Sequence, residues 1–193
     1  MTCLRPYAVA ARIVLSVLLT LALDGGCCRA FADTVPKPCD AVPMPLPIRQ
    51  YVADKYRLWK IVDLFELSDR DRQLWIQGEG IKCPGIAIGH FQSVDRLSYA
   101  VLLTRRQGSQ DFVMLLAMTE AEGRVTGIIV EKPMEMGPKR HVIFKGPPGR
   151  YREAEGPRVV ETKFEVIVHK FLEAGTVVYV WTGKRFLEVI VSD

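Results

Sequence analysis

From Gly85 to the C-terminus, apolar residues gather in segments of five to nine residues, each bounded by turn-forming or charged positions. The pattern predicts strands over 85–91, 98–104, 111–119, 124–130, 141–145, 163–171, 176–182 and 185–192. Gln107-Gly108-Ser109, Glu122-Gly123, Ala174-Gly175 and Thr182-Gly183 supply short turns. Strands in succession without helical segments between them imply an antiparallel sheet. The segments 98–104 and 111–119 are apolar almost throughout, so they are expected to be central and covered on both faces.

Upstream the period changes. Ile48, Tyr51, Val52, Tyr56 and Trp59 recur at three- and four-residue steps, with Arg49, Asp54, Lys55 and Arg57 on the other side, which predicts a helix from Ile48 to about Leu58. Pro47 suits its first turn, because a helix start has no use for that N–H. Residues 59–66 read as strand. Ser68-Asp69-Arg70-Asp71 then resembles a capping box that opens a short helix carrying Leu74 and Trp75 and ending at Gly78 and Gly80. The expected architecture is one α+β domain over 48–193: an antiparallel sheet of about six to eight strands with one or two N-terminal helices packed on it. A proline-rich arm, 33–47, precedes it. Residues 131–158, rich in proline and glycine, are expected to form an irregular loop.

The N-terminus has its own pattern. Arg5 and Arg12 precede the apolar run 13–23, and Ala30-Phe31-Ala32 gives a small-x-small site, which together predict a signal peptide over 1–32. Lipidation at Cys27 is the alternative, although Asp24 stands where such signals usually carry leucine. Export to an oxidising compartment makes a Cys39–Cys83 disulfide the expected use of the two remaining cysteines. The whole chain carries 26 Lys+Arg against 22 Asp+Glu. Without residues 1–32, which hold Arg5, Arg12, Arg29 and Asp24, 23 basic residues face 21 acidic ones. That balance gives no dense basic face for nucleic acid, and no transmembrane segment is expected after signal cleavage.

Cys83-Pro84-Gly85, Gly89, Phe91 and Tyr99-Ala100-Val101-Leu102-Leu103 resemble a segment of small exported bacterial proteins of unknown function, related to the FG-GAP/VCBS (integrin alpha-like) repeat. The ending 177–193, with Trp181-Thr182-Gly183 and Ser192-Asp193, is similar to that group as well. In the repeat an acidic loop can hold calcium. Here those positions read His90, Gln92, Val94 and Ser98, and the single acid Asp95 falls where the pattern has glycine, so no metal is expected. The resemblance implies an exported protein of the periplasm or cell exterior.

No G-x-S-x-G, H-E-x-x-H or phosphate-loop motif is present. His90, His141 and His169 are scattered through strand-like segments without a ligand-like spacing. Asp63 is the acid to examine for burial, and Glu153 and Glu155 read as solvated. No catalytic residue or cofactor is assigned. The reading is a non-catalytic protein acting by contact with an envelope or extracellular protein or an anionic ligand. The candidate contact residues are Lys139, Arg140, Arg150 and Arg152 of the 131–158 segment, with Trp181 as an aromatic handle. The alternatives are a periplasmic enzyme inhibitor and a hydrolase built around Asp63, His90 or His141.

Overall fold

Asp63 marks the first departure from the expected pattern. Strand β1 is only Lys60–Ile61, and a 3-10 turn, Leu64–Glu66, replaces the rest of the anticipated strand. The computed structural model describes residues 37–191, so the signal peptide, the Cys27 alternative and the start of the proline-rich arm lie outside the described residues. Helix α1 runs Leu46–Lys55 with Pro47 in its first turn, and α2 runs Asp69–Glu79. Ser68 caps α2 by accepting the Asp71 N–H at 3.2 Å, and Gly80 closes it at φ +78°.

Ten further strands follow: β2 Ile86–Gly89, β3 Ser98–Gln107, β4 Gln110–Ala121, β5 Arg124–Glu135, β6 His141–Gly146, β7 Gly149–Arg152, β8 Val159–Thr162, β9 Val166–Phe171, β10 Gly175–Trp181 and β11 Phe186–Val191. The domain is therefore mostly β, richer in strand than the expected α+β fold. The strands form two main antiparallel sheets and a hairpin where one sheet was anticipated. The first sheet has the order β1-β3-β4-β5, with β2 sharing the β3 edge used by β1. The second has the order β11-β10-β9-β6, and β7–β8 pair separately.

Side-chain alternation explains the layering. Tyr99, Val101 and Leu103 of β3 pack with Ile48 and Val52 of α1, Met44 and the two cysteines. Ala100 and Leu102 point the opposite way and meet Ile143, Ile167 and Tyr179 of the second sheet. β3 and β4 are thus covered on both faces, as their apolar sequence requires. On the outer face of the second sheet, Val166, Val168, Val178, Val180 and Val189 are covered by Tyr151 and Val160 of the β7–β8 hairpin. Its first strand, β7, lies inside the 131–158 segment expected to be irregular, and β8 begins just after that segment. The Cys39–Cys83 disulfide is closed, with a Cα–Cα distance of 4.6 Å, and ties the proline-rich arm to the start of β2. The segment 83–103 is a hairpin of β2 and β3 joined by residues 90–97.

Candidate functional site

The predicted contact residues fall in separate places. Lys139 and Arg140 occupy the 3-10 turn Pro138–Arg140 before β6. Arg150 and Arg152 lie beyond β6 on β7, with roughly 20 Å of strand between the two pairs. Arg150 stands directly opposite Glu161 in the hairpin register, so an acid is its nearest cross-strand neighbour. Trp181 is half-buried at the end of β10, with its ring 5.0 Å from that of Phe186.

Lys139 has different company. A groove of about 410 Å³ brings it together with Lys60 of β1 and Arg105 and Arg106 at the end of β3. Glu66 and Asp111 are the acids on its wall, so four cations face two carboxylates. Register places the cations: Lys60 pairs with Thr104, the residue before Arg105, and the Lys139 carbonyl accepts the Ser68 N–H at 2.9 Å. The Arg105 guanidinium carbon lies 4.8 Å from the Trp59 ring centroid and 5.7 Å from that of Phe112, which fixes the cation between aromatic faces. Its Nε is buried without an acceptor. Arg106 meets Asp111 only at 4.0 Å, and the Lys60 and Lys139 side chains make no ion pair among the described residues.

A second constellation is buried between the sheets. His141 and His169 are 1% and 0% exposed, and His141 Nδ1 lies 3.0 Å from His169 Nε2. The histidines that looked scattered in sequence are thus partly brought together. Glu131 of β5 sets Oε2 3.0 Å from His169 Nδ1, out of line for a regular hydrogen bond, and both atoms are buried without another partner. Glu131 opens the 131–158 segment expected to be irregular, yet it lies within β5 with its side chain largely buried. Regular pairing breaks twice around it: Val113 pairs with Met134, Leu115 with Glu131, and Leu116 with Ile129. Each shift gives β5 one residue more than β4, and bulges of this kind re-aim a side chain. Burial, followed by the charges of His169 and Arg140, pushes the His141 imidazole down to about 3. Burial, then the charges of Glu131 and Glu188 and a hydrogen bond to Glu131, raise the Tyr179 phenol.

Asp63 is 5% exposed, and its Oδ2 accepts the Cys39 N–H at 3.2 Å beside the disulfide. It lines a neighbouring groove of about 340 Å³ with Arg49, and that groove shares Lys60 and Glu66 with the basic one. His90 follows β2, with its backbone N–H donated to Glu165, and neither it nor His141 lines the Asp63 groove. The three residues weighed for hydrolysis therefore do not converge. Glu153 pairs with Arg158 at 2.7 Å. Among the described residues no group of three or more His, Cys, Asp or Glu is arranged to hold a metal ion, and no helix is long and apolar enough to cross a membrane.

Of the cations lining the basic groove, the sequence reading singles out Lys139 alone; Lys60, Arg105 and Arg106 lie far from it in the chain. No family model matches the chain, and comparison with curated proteins and with solved structures returns no match.

Proposed function

We propose that this is an exported, non-catalytic binding protein, acting in the periplasm or outside the cell, that captures an acidic protein surface in the groove of Lys60, Arg105, Arg106 and Lys139. The carrying observation is uncompensated charge in a concave place: four cations against two acids, with Lys60 and Lys139 free of ion pairs among the described residues. Carboxylates presented by a partner complete the bonds those cations lack. The larger groove beside Trp75 and Phe144, about 570 Å³, is mostly apolar, and its lysines Lys82 and Lys145 already pair with Glu79 and Glu165. The Cys39–Cys83 disulfide supports an oxidising compartment.

The test is binding of a glutamate-rich peptide at low and high salt. Lys60→Glu/Lys139→Glu should weaken binding by about tenfold or more, and salt should weaken it in the parent protein. Arg150→Glu/Arg152→Glu should leave it within about twofold, because that pair lies outside the groove. Equal loss in both variants, or salt-independent binding, contradicts the assignment.

A further inference from the structure

The buried chain of Glu131, His169 and His141 joins the two sheets. Glu131 comes from β5, the outer strand of the first sheet, and both histidines come from the second. Among the described residues β5 has a single sheet neighbour, β4, so its other attachments rest on what its side chains meet. An edge strand with an inward-pointing charge is protected against adding further strands, provided the charge is satisfied inside. Glu131 has the Tyr179 hydroxyl and the polar edge of His169 beside it, with no regular hydrogen bond made at Oε2.

The geometry of the histidine pair limits its charge. Two ring nitrogens 3.0 Å apart can share one proton, not two. Glu131 beside Nδ1 favours a proton there, which leaves Nε2 of His169 to accept from His141 Nδ1. The pair has three proton positions, the two outward nitrogens and the one shared between the rings, so one proton beyond its neutral state can be taken up. A second cannot, because two N–H groups would face each other in a buried site. The other charged or titratable groups acting on this network make matters no easier: Arg140, next to His141, repels a second proton, and Glu188 acts on Tyr179. The unfolded chain has no such limit and protonates both rings near the ordinary value of 6.5.

We propose that the Glu131–His169–His141 chain is an acid-sensitive latch that holds β5 against the second sheet while the histidine pair carries at most one positive charge, and that opens when both rings take up a proton. The open form, like the unfolded chain, binds at least one proton more than the latched form below pH 6.5. The ratio of latched to open protein then falls about tenfold for each pH unit below that point.

The experiment is amide hydrogen exchange of the purified, disulfide-closed protein at pH 7 and pH 5, expressed as protection factors that remove the intrinsic pH dependence of exchange. The β5 amides paired with β4 should lose at least tenfold in protection at pH 5, with β3 amides changing less. The His141→Phe variant, which keeps a ring beside Phe171 but cannot titrate, should lose that pH response. Should it not fold, the histidine ring signals of the parent protein serve instead: His141 should stay neutral at pH 5. Unchanged β5 protection, the same response in His141→Phe, or a folded His141 that titrates near 6.5 would overturn the latch.

Discussion

Glu165 accepts the backbone N–H of His90 at 2.6 Å, joining the two sheets through one carboxylate. The same side chain takes Lys145 Nζ at 2.8 Å. The Lys145 hydrogen bond is the main cause that holds the Glu165 carboxyl below its ordinary range, with the His90 bond adding to it against a smaller cost of burial. Gly89 leaves room for this contact, since a Cβ there would come within 2.8 Å of Glu165 Oε2 and of the Phe91 ring.

Removing the carboxylate should therefore cost more than removing a surface acid. Glu165→Ala is expected to lose about 2 kcal/mol, the scale of a charge-assisted hydrogen bond in a partly buried site. The sign with pH follows from the lowered folded value. The contribution is present above the ordinary 4.5 and is lost as pH falls through the lower folded value. Urea unfolding at pH 7 and pH 4 measures both; a loss below about 0.5 kcal/mol at pH 7 would reduce Glu165 to a solvated acid.

The disulfide closes a sequence separation of 44 residues and secures an arm whose Met44 and Cys39 belong to the α1-side core. Chain-entropy arithmetic for such a loop gives about 4 kcal/mol. Cys39→Ser/Cys83→Ser should lose stability on that scale in denaturant unfolding. A midpoint equal to that of the oxidised parent would show that the arm is held by packing alone.

Gly85 is where the chain leaves the disulfide and passes against the backbone of Val62. A Cβ at Gly85 would collide with the Val62 carbonyl, which is backbone and cannot swing aside. The neighbouring bonds are tight too: Val62 N–H to Leu102 O and Leu102 N–H to Gly85 O are each 2.9 Å. Gly85→Ala should cost about 3 kcal/mol or more through the backbone shift it forces, whereas Gly78→Ala, with open space around it, should be neutral or slightly stabilising. Thermal melting of the two variants checks the contrast, and similar melting temperatures would contradict it.

The cap of α2 gives a smaller test. Ser68 Oγ accepts the Asp71 N–H, and its hydroxyl also bonds the Asp71 carboxylate. Ser68→Ala should lose about 1 kcal/mol, and Ser68→Asn much less, because asparagine caps as well as serine.

Several of these features could be read in the sequence because their signals are local. Ser68 and Gly80 bracket α2 through cap chemistry, and β3 and β4 announce two-sided burial by being apolar at both parities. Cys39–Cys83 is the pairing left among the five cysteines once residues 1–32 are read as a signal peptide. The β7–β8 hairpin did not show, because Gly149–Arg152 and Val159–Thr162 are four-residue strands set among prolines and glycines. The division into two sheets rests on strand order, which no single segment encodes. Glu131 looks like a loop acid until the two register shifts of β5 turn it inward. His141 and His169 each share strand parity with apolar neighbours, Ile143 and Ile167, which marks them as inward-facing. Only the β6–β9 register brings their rings together. The basic groove was hidden for the same reason, since its cations come from positions 60, 105, 106 and 139.

Backbone amide shifts recorded while a glutamate-rich peptide is titrated into the labelled protein test the central claim most directly. The account predicts that the largest changes fall on Lys60, Thr104, Arg105, Arg106 and Lys139, and that added salt reverses them. Changes centred on Arg150 and Arg152, or none at peptide concentrations that saturate the salt-sensitive signal, would contradict it.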